Sequence, residues 1–254
     1  MQRRRCSRGG ARTWALLMTV VASACEKAAS NQGGAAWPHE PAGFTVITDW
    51  PFSALSGSGW SGFGGRLGVD PTAPASPPGV WQVLYPIGFV AGNSPGQENY
   101  GFATPLPTEL FIGMWWRTSN PWQYQSVGDK IFYVTDITDG GRGLFLMQQG
   151  GAPHNLMVTT QTGAENRTLA TVAQTPITLG VWHRIEMYLK WSTTGTGVVR
   201  WWVDGALQGA ASDVTWQNGT GFNRLHIDPI WGGVGGTKLE SDFFSYDHVY
   251  LSGR

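Results

Sequence analysis

The sequence predicts an all-β protein, an antiparallel β-sandwich of the jelly-roll type. Short apolar runs alternate with turn residues at a spacing of about 8–12 positions, as is typical of β-sandwiches. No window keeps the apolar period of a helix for several turns. The 254 residues include 36 Gly, 15 Pro and 14 Trp. This composition provides many turns and enough aromatic area for one large core.

The first 24 residues have the features of a secretory signal. Arginines crowd the first 12 positions, and the apolar run that follows at 14–22 is far shorter than the roughly 20 residues of a membrane span. Ala22-Ser23-Ala24-Cys25 resembles a bacterial lipobox, although Ala22 stands where Leu is more usual. We expect a signal peptide at 1–24, a lipid-modified Cys25 with a flexible tether at 25–36, and one β-sandwich domain at 37–254. Plain cleavage near Ala24 is the alternative.

The charge balance of the mature chain argues against some partners. The signal carries five of the 17 basic residues and none of the 17 acidic ones, which leaves 12 against 17 and a net charge of −5. A mildly acidic domain is a poor nucleic-acid binder, and we expect no such partner. Contact with a membrane is expected only through the lipid anchor. We predict an exported protein, an outer-membrane or cell-surface lipoprotein, or otherwise a secreted or periplasmic one.

The stretch 182–205 predicts two paired strands, each with one buried face. In its first strand His183, Ile185, Met187, Leu189 and Trp191 share the apolar parity, which makes His183 a core-edge residue. The opposite parity carries Arg184, Glu186, Tyr188 and Lys190. In the second strand Val199, Trp201 and Val203 should point inward, and Arg200 and Trp202 outward. Asp204-Gly205 predicts a tight turn that closes this strand.

Other strands are predicted at 110–118, 130–137, 224–230 and 243–251. In the first of these, Leu110, Ile112, Met114 and Trp116 should face the core, with Phe111, Trp115 and Arg117 on the other side. A mobile Gly-rich loop that contains Trp231 is expected between the last two strands.

Three segments carry a resemblance to a known family. V-W-H-R-I-E-M-Y-L-K, the later R-W-W-V-D-G, and the closing P-I-W-G-G-V-G-G with Y-D-H-V-Y-L-S-G resemble concanavalin A-like lectin/glucanase jelly rolls. Within that group they look most like laminin-G-like and polysaccharide-lyase-like bacterial domains. The resemblance covers roughly 110–253. It implies the fold more strongly than an activity, because the group includes lectins, hydrolases, lyases and adhesive modules.

The chemistry of an enzyme is left open, with a polysaccharide lyase favoured over a glycoside hydrolase. The paired, alternating carboxylates of a hydrolase are missing from the sequence. A lyase needs a base and a cation or amide that neutralises the uronate carboxyl. Arg184, Tyr188, Lys190 and Arg200 have suitable side chains on one predicted face, and Arg117, Lys130 and Tyr133 could join them from neighbouring strands. The alternative is that these residues form an ordinary solvated face.

Sugar binding without cleavage demands less of the site, because aromatic rings and hydrogen-bonding groups suffice. The candidate carbohydrate-binding residues are Trp202, Tyr188, Arg184, Glu186, Arg200, Trp231 and Arg117, with Trp122 and Tyr124 as further loop aromatics. No cofactor is expected. Calcium is a minor alternative, suggested by Asp228, Asp242 and Asp247 around the Gly-rich segment.

The leading functional expectation is therefore an exported jelly-roll module that recognises extracellular or envelope polysaccharide without cleaving it. The first alternative is a polysaccharide lyase that acts on uronic-acid polymers by β-elimination. The second alternative is a structural or adhesive module of the cell envelope.

Overall fold

Alternating apolar and polar residues build a structure made of strands. The computed structural model describes residues 37–55, 57–136, 143–217 and 219–254. The predicted signal peptide, Cys25 and tether lie outside these residues. Fifteen strands, and no helix, occur in the described ranges. They are β1 Thr45–Trp50, β2 Trp60–Phe63, β3 Arg66–Val69, β4 Gly79–Tyr85, β5 Gln97–Gly101, β6 Glu109–Thr118, β7 Asp129–Thr135, β8 Gly143–Gln148, β9 Leu156–Gln161, β10 Asn166–Thr168, β11 His183–Lys190, β12 Gly197–Val203, β13 Ala206–Val214, β14 Arg224–Ile227 and β15 Asp242–Gly253.

The strands form two antiparallel sheets, as the predicted β-sandwich requires. The first sheet has the order β13-β12-β11-β6-β15-β4-β3, with β1 paired to β15, and the second has the order β10-β9-β8-β7-β14-β5-β2. The long strands β6 and β15 lie at the centre of the first sheet. The jelly-roll β-sandwich predicted from the sequence is thus confirmed. In the part of the chain that the structure describes, no helix is long and apolar enough to cross a membrane.

The core lies between the sheets and is rich in indole rings. Trp81, Trp116, Trp201 and Trp216 are fully buried. The first three lie on β4, β6 and β12 at positions that face inward, and Trp216 follows the end of β13. Together they remove a large aromatic area from water. The predicted inward set of β6, from Leu110 to Trp116, is also completely buried.

The predicted central pair is confirmed as β11 and β12. Met187 lies opposite Trp201, and Glu186 lies opposite Trp202. The turn that ends β12 has positive φ at Asp204 (52°) and at Gly205 (86°), as a two-residue hairpin turn of the mirror-image type requires. The Asp204 carboxylate also accepts a hydrogen bond from the Arg184 backbone N–H at 2.8 Å.

Three predicted strands differ in their ends from the structure. The strand predicted at 224–230 ends at Ile227, because Pro229 has no N–H to donate to a neighbouring strand. The strand predicted at 130–137 is Asp129–Thr135, and Ile137 lies outside the described residues. The final strand is longer than predicted and runs from Asp242 to Gly253.

Candidate functional site

The outer face of the first sheet carries the polar residues that the sequence singled out. Arg184, Glu186, Tyr188 and Lys190 alternate along β11, and Arg200 and Trp202 do so along β12. Tyr188 lies directly opposite Arg200, and Lys190 lies opposite Glu109 of β6. His183 is buried at the core edge, as predicted, and its Nδ1 lies 2.7 Å from Asp204 Oδ2.

Residues 37–44, here called the N-terminal cover, pack onto this outer face. The Trp37 ring lies over Gly113, where a Cβ atom would come within 2.5 Å of the indole. The His39 ring stacks on Trp202 with a centroid distance of 4.5 Å and an angle of 9°. Glycine in the middle of β6 is thus required for the cover to approach the sheet.

The expectation that Glu186 faces solvent is wrong. Its side chain is fully buried and accepts hydrogen bonds from the His39 backbone N–H at 3.1 Å and from His39 Nδ1 at 2.9 Å. Arg184 Nε lies 3.2 Å from Glu186 Oε2, the same oxygen that His39 Nδ1 contacts. The cover supplies the partners of this carboxylate, and no sugar hydroxyl can reach it in this arrangement.

Trp231, predicted on a mobile loop, is also buried, with 2% of its surface exposed. Its Nε1 donates to the Gln123 carbonyl at 2.9 Å. The Lys238 ammonium lies over the rings of Trp122 (3.7 Å) and Trp231 (4.7 Å) and is ion-paired with Asp242. A buried cation therefore holds both loop tryptophans in the interior, and neither ring can stack on a sugar.

Two other predicted binding residues already have partners within the chain. Arg117 is ion-paired with Asp70 and lies 4.8 Å from the centre of the Trp182 ring. The Tyr124 hydroxyl is 2.9 Å from Nε2 of His154. These contacts account for both side chains without a ligand.

The sequence suggested that Lys130 and Tyr133 could join Arg184 and Tyr188 on one face. The structure shows that they do not. Both belong to β7, in the second sheet. The chain crosses between the sheets after β6, so strands that are consecutive in sequence fall on opposite sides of the sandwich. A bulge between Lys130 and Phe132 brings Lys130 and Tyr133 to the same outer face although they are three residues apart.

His226 of β14 lies directly opposite Tyr133. The two rings stack with a centroid distance of 4.3 Å and an angle of 13°. Burial and then the positive charge of Arg224 lower the pKa of His226 to about 4, so its imidazole is neutral at neutral pH. Sequence reasoning predicted this strand but did not single out His226 as a candidate site residue, although R-L-H-I-D places Arg224, His226 and Asp228 on one parity.

Lys130 lies at the side of this ring pair. Its ammonium is 4.4 Å from the centre of the Phe145 ring and 5.9 Å from that of Tyr133. Burial lowers the pKa of Lys130, and the negative charge of Asp228 acts in the opposite direction. Within the described ranges, no carboxylate lies within ion-pairing distance of this ammonium.

Tyr133 is held in its protonated form. Its hydroxyl donates to Asp228 Oδ2 at 3.1 Å. Burial raises the pKa of Tyr133, and the charge of Asp228 raises it further. Burial also raises the pKa of Asp228. At neutral pH the phenol is therefore a proton donor rather than a base.

Asn99 of β5 belongs to the same group of side chains. It lies opposite His226, and its amide nitrogen donates to the Ser61 carbonyl at 3.3 Å. Its side-chain oxygen is buried without a hydrogen-bond partner among the residues that the structure describes. The set is called the Lys130 cluster below and consists of Lys130, Tyr133, His226, Asp228, Arg224 and Asn99.

Each of the three aspartates considered for calcium has its own partners within the chain. Asp242 pairs with Lys238, Asp247 accepts from the Ala75 and Ser76 backbone N–H groups, and Asp228 accepts from Tyr133. The described residues contain no group of three or more His, Cys, Asp or Glu side chains that could hold a metal ion.

Comparison with solved structures identifies proteins of similar fold. No family model and no curated protein matches the chain. Among solved structures, an endo-β-1,4-glucuronan lyase from the fungus Trichoderma reesei has a TM-score of 0.60 and 16% identity, over 83% of this chain and 96% of that one. An alginate lyase from a Chlorella virus has a TM-score of 0.58 and 12% identity, over 83% and 100%.

A third structure, the marine PL-14 alginate lyase from Aplysia kurodai, has a TM-score of 0.57 and 12% identity, over 77% of this chain and 90% of that one. At these identities the likeness shows the fold alone. The chain therefore has a jelly-roll β-sandwich of the kind found in polysaccharide lyases.

Proposed function

We propose that this protein is a polysaccharide lyase that cleaves a uronic-acid polymer by β-elimination on the outer face of the second sheet. The observation that carries the proposal is the Lys130 cluster, in which a lysine without an ion pair among the described residues, a protonated tyrosine and a neutral histidine lie on adjacent strands. The likeness to glucuronan and alginate lyases supports it. This proposal replaces binding without cleavage as the leading function.

The first requirement of β-elimination is that the uronate carboxylate be neutralised, because the carbanion formed next to it is otherwise too unstable. Arg224 supplies a guanidinium, and its strand places it two residues from His226 on the same face. Asn99, opposite His226, adds an amide in the same row. We assign these two side chains to the carboxylate of the sugar whose C5 loses its proton.

The second requirement is a base for the proton on C5. Lys130 is suited to this role because burial lowers its pKa, which increases the fraction of neutral amine. His226, with a pKa of about 4, is the weaker base. We assign His226 to orienting the Tyr133 ring by stacking and to hydrogen bonding with the substrate.

The third requirement is an acid for the leaving oxygen. The C5–H electron pair forms the C4–C5 double bond, the bond from C4 to the bridging oxygen breaks, and that oxygen takes the proton of Tyr133. The raised pKa of Tyr133 keeps the proton available. Asp228, which accepts the hydroxyl's hydrogen bond in the free protein, positions the phenol until substrate takes its place.

The test is incubation with glucuronan, alginate and glycosaminoglycans while the ultraviolet absorbance of the new double bond is followed. We expect turnover of at least one of these polymers. Tyr133→Phe should abolish it, whereas Tyr188→Phe, the matched change on the other sheet, should retain it. Loss of turnover in Tyr188→Phe alone would move the chemistry to the first sheet, and no turnover on any polyuronate would reject the lyase proposal.

Binding without cleavage is the second candidate. It is supported by a cavity of about 480 Å³ on the first sheet that Tyr188, Arg200 and Trp202 help to line. Binding of a polyuronate in calorimetry without any release of unsaturated product would favour it.

Export and lipid attachment at Cys25 are also proposed, on the sequence of residues 1–36 alone. Expression in a bacterial host should place the protein in the membrane fraction. Cys25→Ser should release it to the soluble fraction without changing the folded domain. Membrane attachment that survives Cys25→Ser would contradict the lipid anchor.

A further inference from the structure

The cavity on the outer face of the first sheet lies on the side of the sandwich opposite the Lys130 cluster. Its volume is about 480 Å³, at the lower end of the range typical of small-molecule sites. It is bounded by β11, β12, the chain end and the N-terminal cover, through His39, Pro41, Glu109, Tyr188, Lys190, Val198, Arg200, Trp202 and Arg254.

The charges around this cavity are unbalanced. Arg254 is paired with Glu109 at 2.9 Å, and Glu109 has the only acidic side chain among the described residues that line the cavity. Lys190 and Arg200 are exposed. Neither has a carboxylate within ion-pairing distance in the part of the chain described by the structure. The cavity therefore has two cations available for an anionic group.

The side chains at the base of the cavity are held in place by contacts within the protein. Tyr188 donates to Glu109 Oε2 at 2.6 Å, and Arg254 donates to Glu109 Oε1 at 2.9 Å. Both oxygens of the Glu109 carboxylate are therefore engaged. Half-buried Trp202 is held by the stacked His39 ring. A rigid indole beside two exposed cations, neither of them ion-paired among the described residues, matches the apolar face and the carboxylate of one sugar unit.

We infer that this cavity is a second, non-catalytic site that binds a single uronate unit of an acidic polysaccharide. Lys190 and Arg200 bind the carboxylate, and Trp202 contacts the sugar ring. Such a site holds the protein on an acidic polymer independently of the second sheet. It therefore stands whether or not the Lys130 cluster is catalytic.

The test follows the Trp202 indole N–H by nuclear magnetic resonance in a Tyr133→Phe background, in which turnover is blocked. The signal is assigned by its absence from Trp202→Phe. Titration with saturated glucuronate and mannuronate trisaccharides should move it to saturation with at least one of them. In Lys190→Ala/Arg200→Ala the dissociation constant should rise at least about tenfold, since hydrogen bonds to charged groups are lost.

The matched control is Arg66→Ala, which removes an exposed cation from the far edge of the same sheet and should leave the titration unchanged. Cellotriose tests the role of charge, and acetate tests the role of the sugar ring. Equal shifts with cellotriose, equal shifts with acetate, or a Trp202 signal that neither uronate moves would each overturn the inference. Since the readout is local to Trp202, the result is separate from any loss of lyase activity.

Discussion

The two outer faces of the sandwich carry similar residue types but differ in how their charges are satisfied. On the first sheet Glu186 is buried between Arg184 and His39, and Tyr188 donates to Glu109. On the second sheet Lys130 lies on aromatic rings without an ion pair among the described residues. The carboxylates of the first face are thus tied to partners within the chain, whereas the second face holds the buried lysine to which we assign the role of base.

The difference shows why an inventory of residue types is a weak guide to a site. Both faces offer a tyrosine, a lysine and an arginine on neighbouring strands. The pKa of Tyr188 is raised to about 12 by burial and by its bond to Glu109, and that hydroxyl is tied to a structural ion pair. The second face instead combines a lysine of lowered pKa with a histidine that stays neutral, a pairing suited to proton transfer.

The largest expected effect is on catalysis by Lys130→Ala. If Lys130 is the base, kcat/KM on the polyuronate that the protein cleaves should fall by about a thousandfold, within the usual range for loss of a general base. The fold should persist, because the lysine has no ion pair to break among the described residues. Initial rates from the double-bond absorbance, with circular dichroism as the folding check, measure both.

The matched control for that variant is Lys190→Ala, which removes the same side chain from the other face. We expect its kcat to be unchanged and its effect to be confined to KM on long polymers. Equal losses of kcat in the two alanine variants would show that the two faces do not differ in their catalytic role.

The sequence was sufficient to predict the fold and the core-facing side of each main strand, but not the location of the proposed site. Alternation correctly predicted which side chains of β6, β11 and β12 point toward the core, because side-chain direction is a local property. It could not show that β7 joins a different sheet from β6, since that depends on a long-range pairing with β14. It also could not foresee that the N-terminal cover would bury Glu186.

The second largest effect is expected on stability, from Glu186→Ala. Its removal should lower the free energy of unfolding by about 3 kcal/mol, as is typical when one partner of a buried ion pair is lost. Arg200→Ala, on the same face but exposed and without an ion pair among the described residues, should change it by less than about 0.5 kcal/mol. Chemical denaturation of the three proteins measures the difference. Similar values for both variants would mean that the first face is not held by its own charges.

The smallest effect is the pH dependence that His226 gives to stability. Its pKa is lowered from 6.5 to about 4 in the folded protein, so the unfolded chain binds more protons between these values and stability falls as the pH drops through this window. His226→Phe keeps the ring stacked on Tyr133 but cannot titrate. Between pH 6.5 and 4 the wild-type protein should lose about 1–2 kcal/mol more than the variant, after allowance for the partial exposure of the ring. Other titrating groups are common to both proteins and cancel in this difference, which denaturation at several pH values measures.

If the free energy of unfolding of the two proteins changed with pH in parallel, His226 would not be buried in its neutral form. The contrast between the two faces would then depend on Lys130 alone.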